Sequence, residues 1–178
     1  MIAGIFLRYF KIYSGTHYIP LSSGGKFCGI LGNNGIGKSS ILESLDSFIN
    51  NKNWNTNSSF RKAAKDVEPP HIVPLYLIKH EDCPEEHQDK ALLLNNYVLN
   101  YISLISDKTL TPTTRVSVKS FLDHVSKIKR NLNSEEYYII PIGIDVNGNV
   151  NLSILNDKNL CTFLEVDEEK SKVSIETL

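Results

Sequence analysis

Between Gly32 and Ser39 the chain reads GNNGIGKS, so Gly32, Gly37, Lys38 and Ser39 fall at the spacing G-x-x-x-x-G-K-[ST]. At average residue usage such a match arises by chance in roughly one chain in a hundred of this size. The chemistry it could perform is the grip of a polyphosphate. Glycines at 32, 35 and 37 let the backbone turn its N–H groups inward, and a helix opening at Lys38 points the positive end of its dipole to the same place. The cradle would then comprise Gly32, Asn33, Asn34, Gly35, Ile36, Gly37, Lys38, Ser39 and Ser40. Lys38 would reach the β- and γ-phosphates, and the Ser39 hydroxyl would ligate a Mg²⁺ ion bound to them. A glycine-rich turn with a chance lysine is the alternative reading.

Positioning such a loop needs a strand before it and a helix after it. Three strand-like segments precede it: AGIFLRYFKIY, THYIPL, and the short apolar run KFCGIL that stops at Gly32. From Lys38 to Asn50 the spacing becomes helical, with Ile41, Leu42, Leu45, Phe48 and Ile49 predicted as one buried stripe. The stretch Asn50 to Ser59 reads as a loop anchored by Trp54, and Phe60 to Asp66 as a short basic helix. The run Ile72 to Ile78 is β-prone, but Pro74 predicts an edge position or a late-starting strand.

A helix is expected from Cys83 to Ser106, with Pro84 at its start and Leu92, Leu93, Tyr97, Tyr101 and Leu104 on its apolar face. TLTPTTR reads as a linker, followed by a second amphipathic helix over 116–132. The remainder returns to β: Asn147-Gly148 between apolar runs signals a hairpin, and LCTFLEVD with KVSIETL suggests a further ribbon. Residues 1–178 are thus expected to form a single α/β unit, divided into 1–50 with the glycine loop, a mainly helical 60–130 and a β-rich 135–178.

The totals exclude several classes. With 178 residues the chain can bury one ordinary core, and 19 basic against 20 acidic residues leave a net charge of −1, without bias toward polyanions. Cys28, Cys83 and Cys161 have no metal-type or disulfide-type spacing. The N-terminal MIAGIFLRYFKIY is interrupted by Arg8 and Lys11 and is not a signal peptide; no apolar run is long enough to span a membrane. Cytoplasmic residence is expected.

The form GNNGIGKSS resembles the G-x-N-G-x-G-K-[ST] loop of ABC-type ATPases, and SSILESLDSF continues as in their SMC, RecF and OLD-like branch. The opening LRYFKIYSG is similar to that branch through Leu7, Phe10, Lys11 and Tyr13; the likeness covers residues 1–50. The Asn/Trp-rich loop resembles ATPases of bacterial anti-phage systems of the Septu and retron-linked kind. The resemblance implies a P-loop α/β lobe with an N-terminal antiparallel ribbon, and ATP with Mg²⁺ as ligands. It adds Lys11 to the binding residues, and implies a second ATPase head as partner and DNA as the ultimate substrate of the assembly.

Hydrolysis in such a family needs an acidic strand end and a partner's signature loop. LSSGGKF, Leu21 to Phe27, looks like a signature but lies upstream of the glycine loop and reads as a tight turn. The acids searched are Asp145, whose apolar run is broken by Pro141, and Asp167-Glu168, preceded by the charge of Glu165; both read as ordinary antiparallel strands with solvated acidic ends. The only glutamine, Gln88, falls inside a helical pattern. The five histidines, His17, His71, His80, His87 and His124, form no catalytic spacing, and the basic groups at 61–65 and 119–130 read as solvated helix faces. A chain that binds ATP but turns it over weakly or not at all is the expectation. The alternatives are a non-hydrolysing nucleotide sensor or another P-loop enzyme such as a kinase; the absence of NKxD counts against a GTPase.

Overall fold

A computed structural model describes residues 1–25, 27–62, 68–104, 110–132 and 136–155, with the backbone alone for 101–104. The elements are β1 (Ile2–Arg8), β2 (Thr16–Pro20), α1 (Lys38–Ile49), α2 (Ser58–Lys62), β3 (His71–Lys79), α3 (Gln88–Leu104), α4 (Pro112–Asn131), β4 (Tyr137–Pro141), β5 (Gly143–Asp145) and β6 (Val150–Asn151). The chain is therefore mixed α/β, and every strand pairing among the described residues is antiparallel. The sheet runs β2-β1-β3-β5-β6, with β4 also paired to β3.

Strand β3 lies at the centre of this sheet and already runs from His71, against the edge position or late start expected from Pro74. β1 flanks it on one side, through Ile5 opposite Pro74, while β4 and β5 share the other side. The Pro74 carbonyl accepts from the amide of Ile142, the residue separating β4 from β5. A strand residue directs its N–H and C=O to the same neighbour, so the donor that proline lacks faces the one place where the ladder is already interrupted. Gly143 is needed at the resumption. A Cβ there would stand 2.0 Å from the Ile72 carbonyl oxygen and 2.6 Å from the Val73 Cα.

Both sheet faces are covered around β1, which explains why Ala3 to Arg8 are all buried. Phe6, Tyr18, Val73 and Leu75 pack under α3 and α4 with Tyr97, Val98, Phe121 and Val125. Ile5, Leu7, Phe10 and Ile72 face the opposite layer, where they meet Ile41 of α1 with Leu45, Phe48 and Trp54 around them. The aromatic trio Phe6, Tyr18 and Phe121 stacks with centroids 4.6–5.4 Å apart.

The helices form where caps allow. α4 starts at Pro112, inside the expected linker, because Thr111 is its N-cap, accepting from the Thr114 amide at 3.3 Å, and Pro112 fits the first helical position. α3 starts at Gln88 rather than Pro84, after a 3₁₀ turn over Glu85–His87. Its buried face is Ala91, Leu94, Asn95, Tyr97 and Val98; of the expected residues Tyr97 is buried, whereas Leu92 and Leu93 are exposed. Asn95 is inside because its Oδ1 accepts from the Ile139 amide of β4.

Arg8 ties the end of β1 to later chain. It is 3% exposed, donating to the carbonyls of Pro69 and Leu155 and to His71 Nδ1 at 2.7 Å, with Glu68 at 3.9 Å. The Asn147-Gly148 hairpin is formed, with Gly148 at φ 83°. The expected ribbon over 160–178 lies outside the described residues. No described helix is long and apolar enough to cross a membrane.

Candidate functional site

The glycine loop leads into α1 as expected, but the strand before it does not form. Residues 27–31 are in no strand, and Phe27 and Leu31 are 89% and 92% exposed. Only Ile30 is drawn into the α1-side cluster. The apolar run that predicted a strand lacks a neighbouring strand to pair with among the described residues.

Gly37 is the N-cap of α1 at φ 95°, ψ 14°, with no capping side chain. The amides of the first helical turn are thus not taken up by a cap, and they open on a loop whose residues 31–36 are exposed. Gly35 also holds a positive φ, 82°. A Cβ at Gly37 would lie 2.6 Å from Ile12 Cδ1 and 2.7 Å from Tyr13 Oη, so glycine is required there by conformation and by space. Lys38 folds back over the loop, its Nζ donating to the carbonyls of Gly32 at 2.5 Å and Asn33 at 2.6 Å. Ser39 is exposed in the first turn, whereas Ser40 is buried.

The buried face of α1 differs from the expected stripe. Ser40, Ile41, Ser44 and Ser47 face inward, Leu45 and Phe48 are half-buried, and Leu42 and Ile49 are 62% and 65% exposed. Serines at i, i+4 and i+7 thus share the buried face with Ile41. Ser44 loses little by burial because its hydroxyl donates back to the Ile41 carbonyl at 2.7 Å.

The loop between β1 and β2 forms one wall of the site. The expected strand through Tyr13 breaks because Tyr9 and Lys11 adopt φ 51° and 47°. Those conformations are held by backbone bonds from Tyr9 N to Gly15 O, Lys11 N to Asn55 O and Asn57 N to Tyr9 O. Asn57 Nδ2 also donates to the Lys11 carbonyl, and Trp54 packs on the buried Phe10 at 5.1 Å. Thus braced, the loop presents Tyr13, whose Oη donates to the Gly37 carbonyl at 3.1 Å. Burial raises the Tyr13 phenol above its ordinary pKa, so it remains a donor. Lys11 reaches α1 but is ion-paired there with Glu43.

The other sequence candidates lie elsewhere. Asp145 spends its carboxylate on its own turn, accepting from the amides of Asn147 and Asn149 and from Asn149 Nδ2. That turn adjoins Asn51, past the C-terminal end of α1, because a Cβ on Gly148 would be 3.9 Å from Asn51 Oδ1. A helix of 12 residues puts Ser39 about 17 Å away. Asp145 is therefore the acidic end of an ordinary antiparallel hairpin and not a partner to Ser39. Gln88 bonds the Cys83 carbonyl at the start of α3, on the opposite layer. Asp167 and Glu168 lie outside the described residues.

LSSGG is a turn, with the Leu21 and Ser22 amides on the Ala3 carbonyl and Gly24 at φ 107°. Lys119, Lys127, Lys129 and Arg130 are exposed on α4. Among the described residues no three His, Cys, Asp or Glu side chains converge as a metal-binding group. The wall supplied by Ile12 and Tyr13 was not legible in composition or periodicity; its one signal was the likeness of the segment around Lys11 and Tyr13. Compared with known proteins, the chain matches no family model, no curated protein and no solved structure.

Proposed function

We propose that the chain binds ATP with Mg²⁺ at Gly32–Ser40, as a lobe of a P-loop ATPase of the ABC/SMC-like kind. One observation carries this reading: a positive-φ Gly37 opens a 12-residue helix without a side-chain cap, beside an exposed glycine loop and a lysine that already reaches over it. The residues fit a polyphosphate. Backbone amides of the loop and first turn would hold its oxygens, Lys38 would exchange the Gly32 and Asn33 carbonyls for the terminal phosphates, and Tyr13 would keep Gly37 in place. Bound Mg²⁺ would neutralise phosphate charge, with Ser39 supplying a hydroxyl ligand.

Binding without self-sufficient turnover is favoured by the position of Asp145, which is engaged at the far end of α1. On this reading a second head supplies the missing groups, and DNA-related or anti-phage work belongs to the assembly. The test is a binding titration with Mg·ATP and with AMP. ATP is expected to bind and AMP to bind at least tenfold more weakly, since AMP lacks the β- and γ-phosphates. Equal affinity for the two, or hydrolysis above about 1 s⁻¹ by the chain alone, contradicts it.

A further inference from the structure

Lys11 reaches α1 from the loop after β1 and forms an ion pair there with Glu43. The backbone of Lys11 is fixed independently of that pair. Its amide donates to the Asn55 carbonyl, its carbonyl accepts from Asn57 Nδ2, and its φ is 47°. The same loop is held at Tyr9 by Gly15 and Asn57, and at Tyr13 by the Gly37 carbonyl. The paired side chains are 30% and 49% exposed, and an ion pair so open to water adds little to a loop already held by these bonds. Its consequence is where it places charge. Glu43 follows Ser39 by four residues, so the two share one face of α1, a single turn apart, and both are exposed. Helical side chains lean toward the N-terminus of their helix, which sets the Glu43 carboxylate, and the Lys11 ammonium with it, against the first turn.

We infer that Glu43 is a positioning residue that lowers the affinity of the glycine loop for polyphosphate, by holding the Lys11 ammonium as its own counter-ion. The inference rests on polyphosphate binding at Gly32–Ser40. A polyphosphate seated on the first-turn amides competes with Glu43 for Lys11 and is repelled by the Glu43 carboxylate. Removing one unit charge within about 10 Å of the ligand, at a site partly open to water, shifts its binding equilibrium by roughly threefold to tenfold. The pair therefore sets how tightly the ligand is held, and Lys11 returns to a waiting carboxylate when the ligand leaves.

The test is a calorimetric titration of Mg·ATP into the wild type, Glu43→Gln, Lys11→Met and the double variant, at low and high salt. Glu43→Gln should bind about three- to tenfold more tightly than the wild type, and the gain should shrink as salt rises from about 50 mM to about 500 mM. A pair that merely braced the loop would give the opposite sign, because loosening a site weakens it. Lys11→Met should bind about three- to tenfold more weakly, and Lys11→Met/Glu43→Gln no more tightly than the wild type. Both substitutions keep the length of a solvent-accessible side chain, so each variant should melt within about 3 °C of the wild type. Binding by Glu43→Gln that is equal to or weaker than that of the wild type overturns the inference, as does a double variant as tight as Glu43→Gln. Failure of the wild type itself to bind Mg·ATP overturns the reading of the site, and this inference with it.

Discussion

The phenol of Tyr13 donates a hydrogen bond to the carbonyl of Gly37 across 3.1 Å, joining the loop after β1 to the N-cap of α1. The same carbonyl accepts the Ile41 amide, so the helix retains its first bond without the tyrosine. Tyr13→Phe should therefore cost about 1 kcal/mol in urea unfolding. Affinity for Mg·ATP should fall several-fold, because Gly37 is then less constrained. Unchanged stability and unchanged affinity would show that this contact does not position the loop.

Gly37→Ala should be far more damaging than its neighbours suggest. It meets Ile12 and Tyr13 within 2.7 Å and must adopt φ 95°, which together should cost about 2–3 kcal/mol. Gly25→Ala is the control. That position is exposed and a Cβ there has no neighbour nearer than 3.9 Å, so thermal melts should show a change within about 0.5 kcal/mol. Similar losses for the two would remove the argument for a strained cap.

Stability should fall in mild acid because of His71. Its ring is fully buried, and desolvation followed by the charge of Arg8 holds its pKa well below the ordinary value of 6.5. Above pH 6.5 neither the folded nor the unfolded state binds the proton. Below it the unfolded chain takes a proton that the folded chain refuses, so stability declines as pH falls from about 6.5 toward the depressed native value, by up to about 1.4 kcal/mol per pH unit. His71→Asn places an amide oxygen near Nδ1, the acceptor for Arg8 at 2.7 Å, and should flatten the slope between pH 7 and 5 measured by chemical unfolding. An unchanged slope would assign the acid loss to other groups.

Ser153, whose amide donates to Asn151 Oδ1, is 1% exposed, and among the described residues its hydroxyl has no hydrogen-bond partner. Removing an unsatisfied buried hydroxyl relieves a desolvation penalty, so Ser153→Ala should be neutral or stabilising by up to about 1 kcal/mol. A loss of 2 kcal/mol or more would mean that the hydroxyl is bonded in solution.

Local signals carried much of this architecture. The glycine loop with its following helix, the turn at Gly24 and the hairpin at Gly148 follow from residue types within a few positions, and the antiparallel β1-β2 pair was implied by the likeness of the N-terminal segment. Tertiary choices did not. Pro74 reads as an edge signal until Ile142 breaks the neighbouring ladder, and Leu42 reads as core although Ser40, Ser44 and Ser47 take the buried face. FCGIL has a strand's composition, yet pairing is a property of two segments, and among the described residues the second is missing. Asp145 looked like an acidic strand end; only the hairpin geometry shows its carboxylate engaged with its own turn.

Thermal unfolding of the wild-type chain and of Lys38→Ala, each with and without Mg·ATP, tests the central claim most directly. Among the described residues the Lys38 ammonium bonds two exposed-loop carbonyls, so the substitution alone should leave the unliganded melting temperature within about 2 °C. At a nucleotide concentration near a hundred times the dissociation constant, binding adds about 2.7 kcal/mol, which should raise the wild-type transition by about 5–10 °C. Loss of that rise in Lys38→Ala is the predicted result. No rise in the wild type, or an equal rise in both proteins, would contradict ATP binding at the glycine loop.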